Sequence, residues 1–209
     1  MRITKFVQSC LYVETPECAG LFDPGIMSEN ALDEATIIRL DDIFITHDHS
    51  DHYSVSAIKK LVESFPNVHI TAPAGVVAEL AKENITATTT PPAKAELFDS
   101  PHENGGAVFN TPEEIGVHYL DQLTHPGDCH HFNESKAVLA LPVTAPWGSM
   151  VAAVDLGLKL KPQFILPVHD WHWSEQARQQ SYDRLDGIFA DHDITFCKLE
   201  TGVPVEIDL

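Results

Sequence analysis

The stretch THDHSDHYS, residues 46–54, places three histidines and two aspartates in six consecutive positions. It follows the apolar run DIFI, which predicts a buried strand, and it precedes a helical pattern. Within the turn, His47 and His49 project to one side, and Asp51 and His52 come just before the helix. Imidazole and carboxylate groups are the ligands that zinc and similar metals accept. A solvated helix cap does not need three imidazoles, so the turn predicts a metal site and requires a fold that brings further ligands to it.

The rest of the chain alternates short apolar runs with helical patterns, which indicates an α/β protein with helices outside stacked sheets. Its 209 residues, 44% hydrophobic and 21% charged, fit one domain spanning residues 1–209. Ten runs predict strands: ITKFV, CLYVE, AGLFD, DIFIT, VHIT, VHYL, AVLALPV, FILPV, TFCKL and PVEIDL. Five segments predict helices: 31–40, 54–65, 73–83, 149–160 and 173–192. The Pro- and Thr-rich segment 86–111 predicts strands and exposed loops.

Charge and cysteine usage limit the partners. The formal net charge of −18 opposes binding to nucleic acid or to an anionic membrane surface, since both depend on Lys and Arg. We expect a small-molecule substrate instead. The four cysteines form no C-x-x-C pair, there is no signal-peptide core, and no run approaches the roughly 18 apolar residues of a membrane span. These features predict a cytoplasmic protein.

Further metal ligands are expected at the ends of other strands. His102 follows the run AELF, Asp128 lies in LTHPGDC after VHYLDQL, and His169 ends the apolar run FILPV. Together with the four residues of the turn, these three are enough for two metal ions.

The series H-x-H-x-D-H, a lone His, Gly-Asp, and a His after an apolar strand resembles the metallo-β-lactamase superfamily. The upstream LFDPG, residues 21–25, extends the resemblance, which covers roughly residues 1 to 175. THPGD, PWGSM and LPVHD are most similar to small lactonase-type hydrolases, including the L-ascorbate-6-phosphate lactonase group. Two departures stand out: Gln8 lies where relatives often carry His, and Cys129 lies where Thr is common.

The resemblance implies a four-layer αββα sandwich with two divalent metal ions, zinc in the first place and manganese or iron as alternatives. It assigns one ion to His47, His49 and His102 and the other to Asp51, His52 and His169. Asp128 is expected to bridge both ions. Hydrolysis would then proceed through a metal-bound hydroxide that Asp51 orients.

Other residues are weaker candidates around this centre. Asp23 and His125 are candidates to orient the ligands. His172 is the second catalytic candidate after Asp51. Trp147 and the loop residues 130–131 are candidates to line the substrate, although packing or solvated-loop roles explain them equally well.

Three functions compete. The first is a hydrolase acting on a small ester, lactone or phosphodiester. The second is an iron-dependent redox enzyme of the same superfamily, such as a persulfide dioxygenase, and the third is a metal-stabilised protein without turnover. Metal analysis and hydrolysis assays separate the three.

Overall fold

Alternate residues of the strands pack into different layers. In strand β9 (Val138–Pro142), Val138 and Ala140 enter the core between two sheets, whereas Leu139 and Leu141 pack beneath helices on the outside. This period of two buries both faces of each sheet, as the apolar runs of the sequence predict. The computed structural model describes residues 1–32, 35–108 and 110–209.

Two six-stranded sheets form the centre of the fold. The first has the order β12-β1-β2-β3-β4-β5 and the second the order β11-β10-β9-β8-β7-β6. The strands of the first sheet are β1 (Arg2–Lys5), β2 (Leu11–Glu14), β3 (Ala19–Phe22), β4 (Asp42–Phe44), β5 (His69–Thr71) and β12 (Pro204–Glu206). Besides β9, the strands of the second are β6 (Ala95–Asp99), β7 (Ile115–Tyr119), β8 (Leu123–His125), β10 (Phe164–Val168) and β11 (Thr195–Phe196).

Helices cover the outer face of each sheet. Helices α1 (Val55–Ser64) and α2 (Ala74–Lys82) pack on the first sheet, and α3 (Met150–Leu160) and α4 (Glu175–Ala190) pack on the second. The order helix, sheet, sheet, helix confirms the αββα sandwich. No helix in the described ranges has both the length and the apolar character that crossing a bilayer requires.

One predicted helix is wrong. For residues 31–40, the structure has a short 3-10 helix at Glu29–Ala31 and a non-helical path over residues 35–40. Asp33 and Glu34 lie outside the described residues. The run Thr36-Ile37-Ile38 is β-branched and disfavours a helix, and Ile37 is buried while Ile38 is 69% exposed. The buried side chain of Ile37 therefore anchors a loop and not a helix.

The direction of the strands brings the predicted metal ligands to one edge of each sheet. In the first sheet β1, β3 and β4 run in the same direction, and in the second β6, β8, β9 and β10 do so. All seven predicted ligands follow the carboxyl end of one of these strands: β4, β6, β8 or β10.

Candidate metal centre

The segment Asp23-Pro24-Gly25 packs against the His-rich turn that follows β4. Within the turn, the amides of His52 and Tyr53 donate to the carbonyl of His49. A Cβ on Gly25 would lie 1.9 Å from the backbone oxygen of Asp51, so only glycine fits there. This close approach explains why the Asp-Pro-Gly segment accompanies the turn in the sequence.

A first cluster contains His47, His49, His102 and Asp128, whose ligand atoms lie within 4.8 Å of one another. His47 Nε2 is 3.1 Å from His49 Nδ1, and Asp128 Oδ2 is 3.7 Å from His102 Nε2 and 4.0 Å from His47 Nε2. His102 Nδ1 is engaged with the carbonyl of Glu103, whereas its buried Nε2 has no partner among the described residues. This nitrogen is oriented as a ligand atom would be.

A second cluster contains Asp51, His52 and His169. His52 Nε2 is 3.3 Å from His169 Nε2, and Asp128 Oδ1 lies 3.1 Å and 2.8 Å from these two nitrogens. Although these distances are short, Asp128 Oδ1 has no hydrogen bond of acceptable direction among the described residues. The carboxylate oxygen therefore lies beside both imidazole nitrogens without a directed hydrogen bond to either.

These separations fit a bound metal ion. Ligand nitrogens and oxygens about 2.0–2.1 Å from a tetrahedral zinc ion are roughly 3.3 Å apart. The closest pairs in both clusters fall near this value. The donor set of imidazoles and carboxylates suits zinc, manganese or iron, so the residues fit the group that the sequence predicts.

Two buried carboxylates orient two of the histidines. Asp23 Oδ2 is 2.8 Å from His52 Nδ1, and Glu114 Oε2 is 2.9 Å from His47 Nδ1. Each carboxylate favours a proton on Nδ1 and so leaves Nε2 of the same ring free to bind metal. Asp23 also accepts hydrogen bonds from the amide and hydroxyl of Thr46, an arrangement consistent with the orienting role that the sequence predicts.

Glu114 is the residue that sequence reasoning missed. It precedes β7, an antiparallel strand that begins at the site edge, whereas the ligands predicted from the sequence all follow strand ends. Its Oε2 also accepts from the amide of Asp128 at 3.1 Å, and Gly127, with φ +68°, leaves the room that it occupies. Glu114 therefore contacts both a histidine and the loop of the central aspartate.

Burial and neighbouring charges lower the pKa of His47 and raise the pKa values of His52 and Glu114. Burial lowers the pKa of His47, and the neighbouring His52 lowers it further. Burial also penalises a charged His52, but Asp128 and Asp23 outweigh it and raise the pKa of His52. Burial and then Asp128 raise the pKa of Glu114. A site that concentrates negative charge in this way is prepared for a cation.

Three residues of the site have a left-handed backbone: Gln8, Asp23 and His169, with φ of +67°, +46° and +65°. Gln8 Nε2 donates to Asp51 Oδ2 at 2.7 Å and lies 2.9 Å from His169 Nε2. The backbone amide of His169 donates to the carbonyl of Gln8. Gln8 thus joins two members of the second cluster, Asp51 and His169. Backbone strain of this kind is common where side chains must be held in place.

Directly behind His169 lies a buried charged network. Lys5 Nζ is 2.6 Å from Asp170 Oδ1 and 3.0 Å from the Tyr182 hydroxyl, which donates to Asp170 Oδ2 at 2.5 Å. Lys5 and Asp170 are almost completely buried. The network fixes the residue next to His169 against α4.

Trp147 lies over both clusters. Its Nε1 donates to Asp128 Oδ2 at 2.9 Å, and its ring makes edge contacts with His102 and His169. A cavity of about 350 Å³ opens beside it and reaches Asp51, Asp128 and His169. The centre is therefore accessible from outside, unlike a closed structural zinc site.

The remaining candidates lie around the centre. His125 is buried and donates through Nε2 to the Ser9 carbonyl, and Cys129 is a packed thiol that accepts from the amide of His131. His172 is exposed, with Nε2 3.4 Å from the Thr144 hydroxyl. These three residues belong to neither ligand cluster.

Two sheets that bring His and Asp side chains together at one edge define a metal-binding α/β protein. Residues 2–169 match the family model described as the Beta-lactamase superfamily domain, and the chain belongs to this metallo-β-lactamase superfamily. Protein Rv0786c of Mycobacterium tuberculosis (strain ATCC 25618 / H37Rv) is 31% identical, over 88% of this chain and 91% of that protein.

Solved structures share the fold at low identity. Igni18, a metallo hydrolase from the hyperthermophilic archaeon Ignicoccus hospitalis KIN4/I, superposes with a TM-score of 0.73 at 16% identity, covering 99% of each chain. CmlA, a diiron β-hydroxylase from Streptomyces venezuelae, superposes with a TM-score of 0.67 at 12% identity, covering 100% of this chain and 54% of that one. The fold thus occurs in proteins with different metal chemistry.

Proposed function

We propose that this protein is a dinuclear metal-dependent hydrolase of small-molecule esters, lactones or phosphodiesters. The observation that carries the proposal is the position of Asp128. Its Oδ1 faces His52 and His169, while its Oδ2 faces His47 and His102. A carboxylate with one oxygen toward each cluster is suited to bridge two ions.

The proposed ions are divalent, with zinc first and manganese or iron as alternatives. When bound, such a pair supplies a hydroxide nucleophile near neutral pH and stabilises charge on the attacked group. Asp51 is the proposed catalytic residue because one of its oxygens, fixed by Gln8, lies at the cavity. Trp147 holds Asp128 Oδ2 through a hydrogen bond from its Nε1.

His172 remains the second catalytic candidate. It is exposed and its ring contacts Trp171, which lines the cavity at the centre, and we propose that it transfers a proton to the leaving group. We expect His172→Asn to lower kcat while leaving metal content unchanged. Loss of metal with this variant would exclude a catalytic role that is separate from metal binding.

Elemental analysis together with hydrolysis assays tests the proposal. The purified protein should hold two equivalents of metal and hydrolyse members of an ester, lactone and phosphodiester panel. Asp128→Asn should hold at most one equivalent and lose activity by at least 100-fold, consistent with loss of a metal-bridging ligand. His192→Ala, which changes an exposed histidine outside both clusters, is the matched control.

The same experiment separates the alternatives. Dominant iron with oxygen consumption would favour the redox function. CmlA, a diiron β-hydroxylase, shares the fold. Two bound ions without turnover of any substrate would favour a metal-stabilised protein. Our proposal also includes a cytoplasmic location and small-molecule rather than nucleic-acid partners, which the free state of all four cysteines and the net charge of −18 support.

A further inference from the structure

The cavity at the mouth of the metal centre has an aromatic and apolar wall. Apart from the metal-ligand candidates, it is lined by Gln8, Met27, Ser50, Pro146, Trp147 and Trp171. Trp171 is 50% exposed, and Ile26, the neighbour of Met27, is 51% exposed. Apolar side chains with this degree of solvent exposure at the mouth of a site are typical of surfaces that bind an apolar partner.

Apart from the two ligand histidines, the described lining of the cavity has no basic side chain. No Lys or Arg is among the described residues that line it, and Asp51 and Asp128 are the charged ones. Two divalent ions would offset these carboxylates at the reacting centre. Any part of a substrate that extends beyond the ions meets indole, thioether and proline surfaces, which cannot compensate a negative charge.

In two neighbouring cavities, the Lys and Arg side chains among the described residues are already engaged by other protein groups. Arg178 lies in a cavity that shares Met27 and Trp171, but its guanidinium is paired with Glu175. On the other side of Trp147, Lys159 is accompanied in its cavity by Glu103 and Asp155, and its ammonium donates to Asn133. An anionic substituent directed to either side would compete with carboxylates that are already present.

The orientation of Trp147 is fixed. Its Nε1 is bound to Asp128, and its ring lies 5.3 Å, centroid to centroid, from both His130 and His169. An indole constrained on its polar edge and flanked by imidazoles offers a preorganised apolar surface. Trp171, which is half exposed, lines the same cavity and can provide a second apolar surface there.

We infer that the substrate is a neutral ester or lactone whose non-reacting part is an aryl or alkyl group held at Trp147, Trp171 and Met27. This inference rests on the proposed hydrolase function and narrows its substrate class. It argues against substrates that carry a phosphomonoester, which the lactonase resemblance would have favoured. The hydrolytic step itself consumes one water and releases an acid and an alcohol, or a hydroxy acid from a lactone.

Chain length and charge can be varied independently in a set of chromogenic esters. The metal-replete protein is assayed with 4-nitrophenyl acetate, butyrate and hexanoate, and with the matched pair 4-nitrophenyl pentanoate and 4-nitrophenyl hydrogen glutarate. We expect kcat/KM to rise with each added methylene by up to about fourfold, as burial of a methylene allows. The neutral pentanoate should exceed the anionic glutarate by at least tenfold.

Two variants locate the effect. Trp171→Ala and Met27→Ala should each raise KM for the hexanoate several-fold, with little change for the acetate, whereas Ile38→Ala, an exposed apolar residue outside the cavity, should change neither. Equal rates for the glutarate and the pentanoate would overturn the inference. So would equal losses for acetate and hexanoate in Trp171→Ala.

A binding measurement keeps this inference distinct from the hydrolase proposal. Hexanophenone and 5-benzoylpentanoate differ mainly in a terminal carboxylate, and both can be followed by quenching of tryptophan fluorescence. The neutral ketone should bind at least tenfold more tightly, and Trp171→Ala should remove most of this preference. If no ester, lactone or phosphodiester is hydrolysed but the preference is seen, the hydrolase proposal fails and the ligand class stands. Absence of the preference refutes the ligand class even in an active enzyme.

Discussion

Replacing Glu114 should weaken one metal site and leave the other nearly intact. Its Oε2 lies 2.9 Å from His47 Nδ1 and 3.1 Å from the amide of Asp128. Partners of this kind behind a metal ligand typically contribute 10- to 100-fold in metal affinity, or about 1.4 to 2.7 kcal/mol. Glu114→Gln keeps an acceptor oxygen, so we expect a loss near tenfold. Glu114→Ala removes the acceptor and should approach 100-fold.

The assay is competition for zinc between the metal-free protein and a chromophoric chelator, followed over two binding steps. Glu114 variants should weaken the step assigned to the cluster of His47, and Asp23→Asn should weaken the step assigned to the cluster of His52. Glu113→Gln changes an exposed neighbouring carboxylate and should match the unaltered protein. Unchanged affinity in Glu114→Ala, or equal weakening of both steps, would refute the orienting role.

Three further predictions concern stability. Gly127→Ala forces alanine to φ +68° and places its Cβ 2.8 Å from the buried carboxyl carbon of Glu114. Urea unfolding should therefore show that the free energy of unfolding falls by about 2–5 kcal/mol. Gly106→Ala, where φ is +61° and the space is open, should lower it by about 1 kcal/mol. Lys5→Met leaves Asp170 buried without its cation and should cost about 3–5 kcal/mol, most of which a second change, Asp170→Leu, should recover. Two serine hydroxyls lower the pKa of Glu29 from its ordinary 4.5, so its contribution is present above that pH and lost as the pH falls. Unfolding of Glu29→Gln should therefore differ from the unaltered protein at about pH 7 and converge with it at about pH 3.

The seven ligand candidates could be predicted from the sequence because their chemistry depends on residue type and on position at a strand end. A His after an apolar strand is conspicuous, and parallel strands carry such residues to one edge. The structure brings all seven together in two clusters. Their roles as ligands remain a prediction that metal analysis tests.

Glu114 and Gln8 could not be assigned in the same way. Glu114 is one acidic residue among 31. Its role depends on β7, which runs opposite to its neighbours and therefore begins at the site edge. The orientation of Gln8 depends on a left-handed backbone that no local pattern indicates. In the segment 31–40, the spacing of apolar residues predicts a helix, whereas its β-branched residues disfavour one. The packing of this segment against the core stabilises a loop instead.

The pairing of β1 with β12 has a consequence for the order of folding. Arg2 is registered with Glu206 and Thr4 with Pro204, so this ladder joins segments separated by about two hundred residues. Contacts between such distant segments form slowly, because the entropy of closing the chain is lost before the contact is gained. During synthesis, the outer edge of β1 stays open until nearly all of this sequence has emerged. None of the seven ligand candidates lies on either strand. Metal loading therefore cannot close this edge, and the strand that leads to Gln8 depends for its protection on β12, which is synthesised about two hundred residues later.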